Sequence, residues 1–224
     1  MSRTVTLLEL RTRVREKADQ ELGSEFIDDT ELNAYINDSL GSWHQKVSMA
    51  DPERFGTTQS ITATGATGYA LPADYLATIG VDRIDQGVAC ELDRYTIHER
   101  NKYQRLESIN GNAVGYRFFG GELILRPRPN SGSYEHHYVT HAPVLALDTD
   151  TIDGVNGWER WIVYDAAVQC LLKEQSDISE VAAERNKIEL EINAAAQSRD
   201  FANAGRVSDT RDRYNYRHRR YLWW

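Results

Sequence analysis

Three closely spaced histidines, His136, His137 and His141, are the first residues in this chain whose type could do chemistry, because neutral imidazoles ligate zinc and related metals. On a strand, alternate side chains point to opposite faces, so His137 and His141 share a face that His136 does not. No Asp, Glu or Cys at convincing ligand spacing completes a shell, and the expectation is exposed strand histidines without a metal. The run HERN, His98 to Asn101, lacks the second histidine of the HExxH pair that binds zinc on a helix. GATG at 65–68 and Gly120-Gly121 are turn chemistry; neither has the spacing of a phosphate-cradling loop. Asp148, Asp150 and Asp153 alternate much as calcium-loop ligands do, and they read as a solvated loop that caps the following helix. No nucleophile elbow or Ser, His and Asp arrangement can be singled out. No residue is assigned a catalytic, cofactor-binding or metal role, and an unrecognised hydrolase site in the middle of the chain stands only as a third reading.

Binding chemistry is concentrated at the end. Arg206 to Trp224, RVSDTRDRYNYRHRRYLWW, holds six arginines, two aspartates and five aromatics, with only Val207 and Leu222 as aliphatic residues. Arg, Tyr and Trp dominate interface hot spots because each combines large contact area with a polar or charged handle. The expected anchors are Arg211, Arg213, Tyr214, Tyr216, Arg217, Arg219, Arg220, Tyr221, Trp223 and Trp224. Ordering nineteen backbones costs about 20 kcal/mol or more, and burying five aromatics returns about 25 kcal/mol at most, so one such tail binds marginally and repetition around an oligomer is needed for a firm joint. The alternative is a nucleic-acid contact through phosphates and stacked bases. Asp209 and Asp212 oppose a polyanion but help select a mixed-charge protein groove.

The net charge is −8; residues 199–224 carry seven Arg against three Asp, a local +4, so residues 1–198 carry −12. An acidic body argues against duplex binding by the main domain, which would need Lys and Arg to neutralise phosphates. Cys90 and Cys170 show no CxxC spacing, which points to a reducing compartment, with Cys170 as a small buried thiol. The charged opening MSRTVTLLELRTRVREKAD and the absence of a long apolar run predict a soluble protein made in the cytoplasm, with no membrane association.

These residues need elements to position them. Thr6 with Glu9 is a capping box for a first helix over 6–22, ended by Gly23, and Asp28 with Glu31 opens a second that Asp51-Pro52 closes. From FGTTQSITATGATGYALP onward the pattern is strand and turn, and Gly120-Gly121 predicts a hairpin between Tyr116–Phe119 and Glu122–Leu125. Helical spacing returns over 157–175 and again from Ile178 to Ala202. The predicted fold class is α+β: an antiparallel bundle of about four helices with a small antiparallel β unit inserted between its halves and an extended C-terminal tail. The expected division is 1–54 and 144–202 for the bundle, 55–143 for the β unit and 203–224 for the tail.

FIDDTELNAYINDSL at 26–40, YALPADYLATIGVDRI at 69–84, YRFFGGELILRPRPNSGSYEHHYV at 116–139 and DTDTIDGVNGWERWIVYDAAVQCLLKEQSD at 148–177 together resemble the head-to-tail adaptor, or connector, proteins of tailed bacteriophages. The resemblance implies a structural protein of the virion without enzymatic activity: a ring, a dodecamer, docked under the portal protein and leading the DNA channel into the tail. It implies that the C-terminal extension with the anchors above reaches the portal, that the β unit faces the next tail or nozzle component, and that genomic DNA passes the acidic wall without specific binding.

Overall fold

The computed structural model describes residues 3–19, 26–105 and 112–200. Strand β1 (Thr4–Thr6) runs directly into α1 (Leu7–Lys17), and α2 (Asp29–Ala50) follows. Strands β2 (Gly56–Thr62), β3 (Tyr69–Ala70), β4 (Tyr75–Asp85), β5 (Val88–Glu91) and β6 (Asp93–Arg94) lead to the short α3 (Arg100–Arg105). Then come β7 (Gly115–Phe119), β8 (Glu122–Arg126), β9 (Ser133–Thr140), β10 (Thr151–Asp153), α4 (Arg160–Glu174) and α5 (Ser179–Asp200).

The helices start where side chains satisfy their free N–H groups. The Thr6 hydroxyl accepts from the Glu9 N–H at 3.2 Å, and the Asp28 carboxylate accepts from the Glu31 N–H at 2.7 Å, each cap contributing about 1 kcal/mol. One core unites the helices: Leu7, Leu10 and Val14 of α1, Leu32, Ile36, Leu40, Trp43 and Val47 of α2, and Ile188 and Ile192 of α5. The central helix is α4, which buries Trp161, Ile162, Val163, Ala166, Ala167, Val168, Cys170 and Leu171. A helix apolar on most of its circumference has to be enclosed by others, and α1, α2 and α5 all pack on it. Burial pushes the Cys170 thiol up to about 11, so it stays a neutral packing group.

A second core lies between two four-stranded sheets, ordered β2-β9-β4-β5 and β3-β8-β7-β6. Ile61, Val81 and Tyr134 reach it from the first sheet, and Tyr116, Leu123 and Leu125 from the second. Alternation puts Tyr134, His136 and Tyr138 of β9 inward while Glu135 and His137 are only half-buried. The β7–β8 hairpin closes at Phe119 opposite Glu122, with Gly120 and Gly121 at φ 63° and 79°, the left-handed pair that a two-residue turn requires. The two layers meet where Phe55 stacks on His44 of α2 at 4.2 Å and abuts Trp43 edge-on at 6.1 Å.

This architecture corrects the expected helical bundle with a small inserted β unit. Among the described residues there are five α-helices and ten strands in three sheets, and the β part is a two-sheet sandwich with its own core. The excess of strand arises from pairings with no local signature. Strand β1 pairs with β10 across most of the chain, Val5 opposite Ile152, within a segment expected to be a loop. Strand β5 folds back on β4 through Gln86 and Gly87 at φ 50° and 83°, where the sequence shows a glutamine rather than the usual Asn or Asp. The first helix is shorter than expected: it stops at Lys17, Ala18 bonds back to the Val14 carbonyl and Asp19 turns to φ 53°. Gly23 lies outside the described residues.

Candidate interaction surfaces

The ten anchors expected between Arg211 and Trp224 all lie outside the described residues, and so does the rest of the tail. What the structure describes is the helix leading to them. Helix α5 begins where Asp177 accepts from the Ser179 N–H at 2.9 Å, an interaction that holds the Asp177 carboxyl below its usual range. Ile188 and Ile192 are buried, contributing about 2 kcal/mol each. Polar contacts set the helix's rotation: Lys46 of α2 pairs with Glu189 at 2.7 Å, the Trp161 indole N–H donates to Glu189 at 3.3 Å, and Arg185 pairs with Asp165 at 3.0 Å. The Lys46 ammonium also sits 5.4 Å from the Trp161 ring centre. Its hydrogen bond holds the Glu189 carboxyl below the usual range. The segment that feeds the tail is thus seated by apolar burial and by cross-helix pairs to both α2 and α4.

The histidines do not converge. Against the expectation of exposed strand histidines, His136 faces the sandwich interior: it is fully buried, shares a hydrogen bond with Thr78 Oγ1 at 2.9 Å, and lies among Tyr75, Phe118 and Tyr138, whose ring centres are 5.3 to 5.7 Å away. Burial, with a smaller contribution from neighbouring His137, pushes it down to about 4. His137 faces Asp82 at 3.2 Å and Thr58 at 3.0 Å. His141 stands apart, lining a groove of about 370 Å³ with His44, Gly41 and Val144. Among the described residues no three His, Cys, Asp or Glu side chains come together as metal ligands.

The three aspartates each have a structural partner. Asp148 pairs with Arg11, Asp153 with Arg54 at 2.6 Å, and Asp150 accepts the N–H groups of Ala146 and Leu147 at 2.7 and 2.8 Å. Those two backbone bonds hold the Asp150 carboxyl below its usual range. The aspartates therefore fasten a turn and a strand rather than cap α4. Glu159, fully buried at the head of α4, points to Arg3 at 3.2 Å and Arg13 at 3.8 Å, joining the ends of β1, α1 and α4 at one point. This joint was not foreseen, because its members are separated by most of the chain and only an acidic residue beside Trp158 and Trp161 hints at burial.

No helix among the described residues is long and apolar enough to cross a membrane. A comparison with curated proteins gives no match. A family model described as SU10 adaptor protein matches residues 5–220, a span that takes in both layers of the fold and the anchors from Arg211 to Arg220. The chain belongs to this SU10 adaptor protein family, and is a phage adaptor protein.

Proposed function

We propose that the chain is the head-to-tail adaptor of a tailed bacteriophage virion, forming a dodecameric ring between the portal protein and the tail or nozzle. In this reading residues 1–54 and 144–202 form the ring wall, 55–143 face the tail component, and 203–224 dock on the portal. The match to an adaptor family over residues 5–220 carries the reading. The composition of the tail supports it: six arginines and five aromatics follow a helix firmly seated on the body. The −12 on residues 1–198 suits a channel past which the genome slides without being trapped. The protein does this work by shape and charge, with no reaction.

Deleting residues 206–224 tests the reading. The truncated chain is expected to keep its helical and β content by circular dichroism while failing to assemble on portal in native mass measurements. Assembly at wild-type level would refute the portal-docking role. Salt separates this from a nucleic-acid contact by the same basic tail: an aromatic protein dock weakens mildly with salt, whereas phosphate binding falls linearly and steeply on log axes.

A further inference from the structure

The arginines of this acidic chain are distributed unevenly in their pairing. Every arginine of the helical layer whose side chain is described lies within 4.0 Å of a carboxylate, as do Arg54 and Arg83. Arg94, Arg100, Arg117, Arg126 and Arg128 pair with no carboxylate among the described residues, and all of them fall in or beside the sheet formed by β3, β8, β7 and β6. In a chain with 34 acidic against 26 basic residues, carboxylates to satisfy them are not scarce.

Register gathers two of these arginines on one face, and the start of α3 brings a third beside them. On β7, Tyr116 and Phe118 turn toward the inner core, so Arg117 and Phe119 face outward; their partners across the hairpin are Ile124 and Glu122, and Arg126 sits opposite Gly115 on the same outer face. The segment carrying Tyr95, Ile97 and Arg100 forms the wall. Tyr103 of α3 lies over Gly115, where an added Cβ would meet the ring at 2.6 Å, and stacks on Tyr95 at 4.7 Å. The result is a groove of about 260 Å³ lined by Tyr95, Ile97, Arg100, Arg117, Phe119 and Arg126. The Arg117 guanidinium carbon lies 5.0 Å from the Phe119 ring centre and 6.0 Å from that of Tyr95. Stacking of this kind holds the planar fork ready for a carboxylate. Phe119 and Ile97 are 62% and 46% exposed, large apolar side chains left in water beside the arginines.

We propose that this groove docks a segment of another protein that carries carboxylates interleaved with large apolar side chains. The arginines supply two-pronged partners for its carboxylates, and Phe119 and Ile97 take its apolar side chains. A nucleic acid fits less well. The cavity is small, and Glu122 on the same face at the hairpin end would repel a continuous line of phosphates, whereas a peptide can place its acids where the arginines are. None of the groove's residues belongs to the C-terminal tail, so a substitution here leaves the tail's sequence intact.

The test uses the full chain and a fluorescein-labelled peptide of alternating Asp and Leu, with binding read by anisotropy. A Ser-for-Asp version of the peptide and a labelled dT12 oligonucleotide serve as comparisons. The acidic peptide is expected to bind the wild-type chain, and to bind at least tenfold more weakly to Arg100→Glu/Arg117→Glu and to Phe119→Ser, both retaining portal assembly. Phe119→Ser changes an exposed side chain, so it keeps the test open if the double charge reversal does not fold. The proposal is overturned if the peptide fails to bind or binds all variants equally, or if the Ser version binds as well. It is overturned likewise if dT12 is the ligand lost in the variants, or if native mass shows that the variants lose self-association while the peptide does not compete for it. The second-copy outcome would make the groove a contact between subunits, and joint loss of peptide binding and portal assembly would deny it a separate role.

Discussion

Protonating His136 should weaken the contact between the two sheets. This ring is fully buried, with Tyr75 and Tyr138 from its own sheet and Phe118 from the opposite one around it, and burial lowers it to about 4 from an ordinary 6.5. The unfolded chain therefore takes up this proton at higher pH than the folded one does. The stability contributed by the neutral ring is fully present above pH 6.5 and is lost as pH falls through 6.5 toward 4. The linkage relation gives a loss of about 2.5 kcal/mol by pH 4.5 and about 3 kcal/mol by pH 4. Carboxylates such as Asp29, Glu31 and Glu189, held low by their basic partners, also lose stability in acid, but they do so equally in a variant that lacks the imidazole. The adjacent His137 and the neighbouring Asp74 and Asp82 are likewise common to both chains. His136→Phe keeps a planar ring but cannot titrate. Urea unfolding midpoints of both chains from pH 7.5 to 4.5 should diverge by the amount stated, the wild type falling more steeply. Parallel curves, within about 0.5 kcal/mol, would refute the argument that the buried ring stays neutral.

Two further outcomes follow from the packing. Gly115→Ala places a Cβ 2.6 Å from the Tyr103 ring and 3.0 Å from the Asp93 carbonyl oxygen, and since backbone cannot yield as a side chain can, unfolding free energy should fall by about 1–3 kcal/mol in urea melts, with altered near-ultraviolet dichroism from the Tyr95–Tyr103 stack. Glu189→Gln removes the charge facing Lys46 on a partly exposed pair and should cost only about 0.5–1 kcal/mol, a difference that shrinks in high salt when melting is compared at low and high ionic strength.

Local signals in the sequence located elements well where the governing interaction is local. Thr6 with Glu9, Asp28 with Glu31 and the Gly120-Gly121 turn mark element ends within a residue or two, because a cap or a positive φ is decided by three or four neighbours. The size of the β sandwich was not legible. ATIGVDRI at 77–84 reads as an ordinary short strand after a turn at Tyr75, until β9 is laid beside it and extends it to Tyr75–Asp85, a pairing that tolerates irregular register between Tyr75 and Ala77 and between Thr78 and Gly80. Nor does any periodicity announce that Arg3, Arg13 and Glu159 meet. The arginine groove was missed for a related reason: its members alternate with core residues along β7 and β8, so their common face appears only once the inner face is known. The tail was conspicuous by composition alone, and its anchors lie beyond the described residues.

The helical core is drawn from two stretches of chain, one ending at Val47 and the other beginning at Leu145, while the sandwich core runs without interruption from Ile61 to Tyr134. During synthesis every strand of the sandwich leaves the ribosome before α4 does, so α1 and α2 are made well ahead of the helices that close over their apolar faces. Until α4 and α5 arrive, Trp43 and its neighbours lack their native cover, and a sandwich folded in that interval would shorten the loop that α4 has to close to reach its seat.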